Sequence, residues 1–122
     1  MRYLIGTSGY NYPEWRGSFY PEKFPTAKML AYYAERFDTV EVNYTFYRIP
    51  TPKLLEGWAA GTPGRFTFTL KAPRRITHDS KLKHVADLTQ TFCKTAATLG
   101  SKLGVLLFQL PPTFKRDDAV FE

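Results

Sequence analysis

The sequence predicts an α/β fold with parallel strands, and three observations carry that expectation. Four short apolar or alternating segments read as strands, and helical-period segments separate them. The connections are long enough for the crossovers that parallel pairing requires. Polar residues occupy one parity of two strands: Glu41 and Asn43 in one, Thr67, Thr69 and Lys71 in the other.

The elements follow in order. Arg2 to Thr7 reads as a first strand, stopped by Ser8-Gly9. Asn11 to Pro25, punctuated by Pro13, Gly17, Pro21 and Pro25, is an irregular segment long enough to be a functional loop. Thr26 caps a helix running to about Phe37, with Met29, Leu30, Tyr33, Ala34 and Phe37 on one face. Thr39 to Asn43 is a short strand. Thr51-Pro52 pairs an N-cap with proline at the first helical position, and that helix ends before Gly61 and Pro63. Phe66 to Lys71 alternates strictly and is a two-faced strand. Leu82, Val85, Leu88, Phe92, Ala96 and Leu99 mark a long helix closed by Gly100, with Cys93 as a structural residue inside it. Gly104 to Leu110 is a continuous apolar run, as expected of a parallel strand buried on both faces, and Pro111-Pro112 stops it.

The order β-α-β-α-β-α-β fits an open doubly wound sheet or a closed barrel. The polar parity favours the barrel. In an open sheet both faces meet helices, and buried polar rows are costly there. In a barrel that parity faces the interior and forms a site at the carboxyl ends of the strands. A TIM (β/α)8 barrel needs about 250 residues. The 122 residues are therefore expected to form one partial domain, the first half of such a barrel, with a fourth helix starting near Lys115-Arg116-Asp117-Asp118. Two open sheet edges follow from that reading, through which two copies could pair as a homodimer.

Composition narrows the function. At 43% hydrophobic and 23% charged, the chain is globular and not disordered. The single Cys93 excludes an intrachain disulfide and suits a reducing compartment. The N-terminus has no secretory pattern and no stretch reaches membrane-span length, so a cytoplasmic protein without membrane association is expected. The charge of +6 admits nucleic acid as a partner, although the basic residues are scattered and Arg74-Arg75 is their longest cluster. Thirteen of the twenty aromatic residues fall in the first fifty positions, as a packed core or as a stacking wall.

Four clusters follow strand ends. Gly6 to Tyr10 offers small residues and free N–H groups, or simply a tight turn. Glu41 to Arg48 brings a carboxylate and an amide to one face; Glu41 is a general base, a metal ligand, a sugar-hydroxyl acceptor or the ion-pair partner of Lys71. Lys71 to His78 supplies an amine for proton transfer or anion binding and a histidine just past the strand end. Gln109 closes an apolar strand with an amide that needs a partner. Glu41, Lys71 and His78 are the candidate catalytic residues. Ser8, Tyr10, Trp15, Asn43, Tyr47 and Gln109 are the candidate ligand-binding residues. The two His and one Cys follow no metal-ligand spacing, and there is no nucleophile elbow. The cofactor stays open.

Ile5-Gly6-Thr7-Ser8-Gly9-Tyr10 and Trp15-Arg16-Gly17-Ser18-Phe19-Tyr20-Pro21 resemble the N-terminal signature of the YecE-like family, domain of unknown function 72. The likeness continues through Phe37-Asp38-Thr39-Val40-Glu41-Val42-Asn43, Phe46-Tyr47-Arg48-Ile49-Pro50 and Phe66-Thr67-Phe68-Thr69-Leu70-Lys71-Ala72-Pro73. It closes with Ile76-Thr77-His78 and Leu107-Phe108-Gln109-Leu110-Pro111-Pro112. Tyr10 stands where the family more often has Trp, which keeps an aromatic. The resemblance implies a TIM barrel of about twice this length, and it implies that Glu41, Asn43, Lys71, His78 and Gln109 lie in family motifs. Further motif residues belong to the family's C-terminal half, so the site is expected to be incomplete here. The function expected is binding of a small polar or phosphorylated ligand at the barrel's C-terminal mouth. The alternatives are a nucleic-acid-binding or nucleic-acid-processing barrel and an inactive partial chain.

Overall fold

The structure, a computed structural model, describes residues 1–121. Four strands, β1 (Gly6–Ser8), β2 (Thr39–Val42), β3 (Thr67–Lys71) and β4 (Leu103–Leu107), form one parallel sheet in sequential order. The helices are α1 (Met29–Ala34), the single turn α2 (Tyr44–Tyr47), α3 (Pro52–Ala60) and α4 (Ala86–Ala96). The chain is thus α/β.

Strand alternation decides what each sheet face meets. Val40, Val42, Phe68 and Leu70 are buried and pack against Tyr33 and Ala34 of α1, Leu55 of α3, and Phe92 and Ala96 of α4. The opposite parity, Thr39, Glu41, Thr67, Thr69 and Lys71, is only partly buried. One face therefore carries the core and the other is polar and bare of helices, as the sequence parity predicts.

Local chemistry sets the helix ends. Thr51 Oγ1 accepts from the Leu54 N–H at 3.2 Å and Pro52 starts α3. Such a cap contributes about 1 kcal/mol. Lys102 closes the far end of α3: its Nζ donates to the Ala59 carbonyl, to the Thr62 carbonyl at 2.6 Å and to Thr62 Oγ1 at 3.0 Å. A cation there satisfies terminal carbonyls and complements the helix dipole.

Several elements differ from expectation. β1 begins at Gly6 rather than Arg2, because Gly6 already pairs with Thr39, the first residue of β2; upstream, Tyr3 and Ile5 are exposed. Gly6 is required where it stands, since a Cβ would overlap the Thr39 carbonyl oxygen. The first helix opens as a 3-10 turn over Thr26–Lys28, and the Thr26 hydroxyl caps nothing; it accepts from Arg16 Nη2 at 3.1 Å. The third long helix starts at Ala86, not Leu82, because Leu82 and His84 take positive φ in a preceding turn. β4 is not buried on both faces: Val105 is 59% exposed on the polar side of the sheet. Cys93 is exposed on α4 and not structural. Near the expected fourth helix there is a 3-10 turn, Asp118–Phe121. No helix among the described residues is long and apolar enough to cross a membrane.

Candidate functional site

The polar residues gather where β1, β2 and β3 end. Ser8 stands beside Glu41 in register. Its Oγ donates to Glu41 Oε1 at 3.1 Å and accepts from Asn43 Nδ2 at 2.9 Å. The hydroxyl thus relays between amide and carboxylate and fixes the carboxylate's direction. Among the described residues that is the one hydrogen bond to the carboxylate, and Oε2 accepts none. The loop behind Ser8 is braced: Tyr12 Oη donates to the Ser8 carbonyl at 2.5 Å, and the Gly9 N–H donates to the Glu41 carbonyl at 2.8 Å. Gly9 has φ +85°, and a Cβ there would meet Tyr12 Oη at 2.5 Å.

One step past the last paired residues of β2 and β3, Val42 and Leu70, Asn43 and the end of β3 at Lys71 come alongside. Buried Thr45 ties the two segments, donating from Oγ1 to the Lys71 carbonyl at 2.7 Å. Lys71 Nζ lies over the Phe46 ring, 4.6 Å from its centroid. His78 meets the same ring edge-on at 5.0 Å. Its Nδ1 is engaged by Thr77 Oγ1 at 2.9 Å. His78 belongs to a π-helical turn, Arg75–Asp79, a conformation often found at functional sites. Phe46 is therefore the hub between the Lys71 ammonium, a cation–π contact worth about 0.5–1 kcal/mol at an exposed site, and the edge-on His78 ring.

The structure corrects parts of the predicted site. Glu41 and Lys71 form no ion pair: among the described residues, the carboxylate turns to Ser8 and the ammonium to Phe46. Trp15 lies apart from the Ser8–Glu41–Asn43 group. Its ring packs on Tyr12, Phe19 and Tyr20, within a cluster that continues to Phe24, Tyr32 and Phe37. Of the N-terminal aromatics, Tyr20 and Tyr33 are buried, and Tyr10, Trp15, Phe19 and Phe37 pack partly buried against the core. Tyr10 has both roles. It packs toward Tyr33 at 6.2 Å, and burial raises its phenol pKa. It also lines a cavity of about 240 Å3 with Tyr12, Asn43, Tyr44 and Trp58. Tyr47 is exposed against Phe46, and Gln109 is exposed two residues past β4. Residues that sequence reasoning missed are Phe46, Thr45 and Tyr12. Their place just after strand ends was the available signal. Among the described residues, no three His, Cys, Asp or Glu side chains gather as metal ligands.

These features define a parallel α/β protein with a polar cluster at the carboxyl ends of its strands. The family described as protein of unknown function DUF72 matches residues 4–122, and the chain belongs to it. It is 36% identical over 85 residues to UPF0759 protein YecE of Escherichia coli K12, covering 70% of this chain and 31% of that protein. It is 31% identical over 103 residues to UPF0759 protein YunF of Bacillus subtilis, covering 80% and 36%. The chain thus spans about a third of the curated relatives it matches. Among solved structures, a DUF72 family protein from Thermotoga maritima superposes with a TM-score of 0.80 at 30% identity, over 96% of this chain and 47% of that one. A DUF72 family protein from Enterococcus faecalis shares the fold with a TM-score of 0.69 at 22% identity, over 93% and 41%.

Proposed function

We propose that this sheet is half of a TIM (β/α)8 barrel whose C-terminal mouth binds a small polar or phosphorylated ligand. Two observations support the barrel: strands in sequential parallel order, and helices packed on one face only. In that arrangement the polar face lines the interior. The observation that carries the ligand reading is the Ser8–Glu41–Asn43 network at the strand ends, with one carboxylate oxygen uncommitted. Glu41 acts as hydroxyl acceptor or general base. Lys71 serves the anionic part of the ligand or transfers a proton. Asn43, Tyr10 and Tyr47 shape the pocket, while His78 and Gln109 orient its occupant. Trp15 supports the loop from behind. A reducing, cytoplasmic setting accords with the single cysteine.

Ligand-induced melting shifts over a panel of sugars and sugar phosphates test this reading. A binder at a hundredfold its Kd stabilises by about 2.7 kcal/mol. Glu41→Gln and Lys71→Met should each reduce that shift. Unchanged shifts in both variants would remove the site. A second reading, nucleic-acid binding, is favoured by the +6 charge and by three arginines near β3. It predicts an affinity that falls steeply with salt, and no binding to oligonucleotides at low salt would end it.

A further inference from the structure

We propose that the cleft between the segment after α2 and the turn after β3 is a phosphoryl-binding subsite. This rests on the reading that a ligand binds at this end of the sheet and adds the ligand's charge class. The cleft has a volume of about 300 Å3. Arg48 lines one side, Arg74 and Arg75 the other, with apolar lining from Ile49, Pro73 and Leu88.

Charge balance is the first argument. Among the described residues, Arg74 alone of the three has a carboxylate within 4.0 Å, Asp79 at 3.4 Å through Nε. Arg48 and Arg75 have none. Three guanidinium groups around one small cleft repel one another, and an oxyanion between them offsets that repulsion. Geometry is the second argument. A guanidinium presents a planar fork of N–H donors that matches phosphoryl oxygens, which a lysine ammonium does not. Position is the third. Phe46 lines the same cleft and also holds the Lys71 ammonium on its ring, so one further cationic group adjoins the subsite. The volume lies at the small end of ligand pockets, which suits a phosphate monoester on a short stem better than a polynucleotide.

Titration calorimetry with inorganic phosphate, ribose 5-phosphate and ribose tests the proposal. Phosphate should bind with a Kd of about 1 mM or tighter, and ribose 5-phosphate more tightly than ribose by about tenfold or more. The double variant Arg48→Gln/Arg75→Gln should erase that tenfold difference, while Arg48→Lys, which keeps the charge and loses the fork, should remove part of it. An unchanged melting temperature in these exposed variants shows that the fold is intact. Phosphate binding equally well to the double variant overturns the subsite. So does ribose binding as tightly as its phosphate, although the ligand reading then survives. If phosphate binds through the arginines and ribose adds nothing, the subsite stands and the polar-ligand reading falls. Binding of a single-stranded oligonucleotide without binding of inorganic phosphate or ribose 5-phosphate assigns the arginines to a nucleic-acid backbone and overturns the proposal.

Discussion

The two faces of the sheet share strands but not chemistry. On the covered face, Phe68 is fully buried, with the Trp58 ring stacked 5.9 Å away and the Phe66 ring edge-on at 5.0 Å. On the bare face, Thr69 is partly exposed and Val105 beside it in register is 59% exposed. Adjacent residues of one strand therefore do different work. One parity holds the fold together, and the other carries polar groups outside the core.

Substitutions can break or sharpen that contrast. Phe68→Ala on the covered face should cost about 3–5 kcal/mol in chemical denaturation; a cost below 1 kcal/mol would mean that the core lies elsewhere. Tyr20, also in the core, gives a pH test. Burial first, then the neighbouring Tyr10 and Tyr33, pushes its pKa up to about 12. The folded state therefore keeps a proton that the unfolded chain loses near pH 10. Stability from this group is complete below pH 10 and is lost as pH rises toward 12, by about 2–3 kcal/mol in all. Tyr20→Phe should flatten that alkaline slope to the part that buried Tyr10 contributes, at a cost of about 1 kcal/mol for the bond to the Tyr10 carbonyl. Lys102→Met should cost about 1–3 kcal/mol, because carbonyls at the end of α3 lose their donor. Val105→Thr on the bare face should change stability by no more than about 0.5 kcal/mol. A large loss there would show that this face is covered in solution.

Periodicity made much of this legible in the sequence. The alternation in Phe66 to Lys71 identified both strand and faces, and Thr51-Pro52 gave the start of α3 to the residue. Two kinds of information were hidden. Tertiary pairing set the short β1, since a ladder forms only where Thr39 is there to receive it. Side-chain direction decided that Glu41 meets Ser8 and that Lys71 meets Phe46, whereas opposite charges on one inward-facing parity suggested a salt bridge. The aromatic cluster shows the same limit. Spacing offered both Trp15 and Tyr10 as ligand-binding residues, whereas packing leaves both partly buried against the core, Trp15 on the Tyr20 ring and Tyr10 at the cavity that Asn43 also lines.

The strand order has a consequence for how the molecule is made. Among the described residues, each strand after β1 pairs with the one synthesised just before it. These three pairings need no distant partner, so their loop-closure entropy is met in small steps. As the chain leaves the ribosome, each βα unit can dock on the edge left by its predecessor, and the sheet grows in the direction of translation.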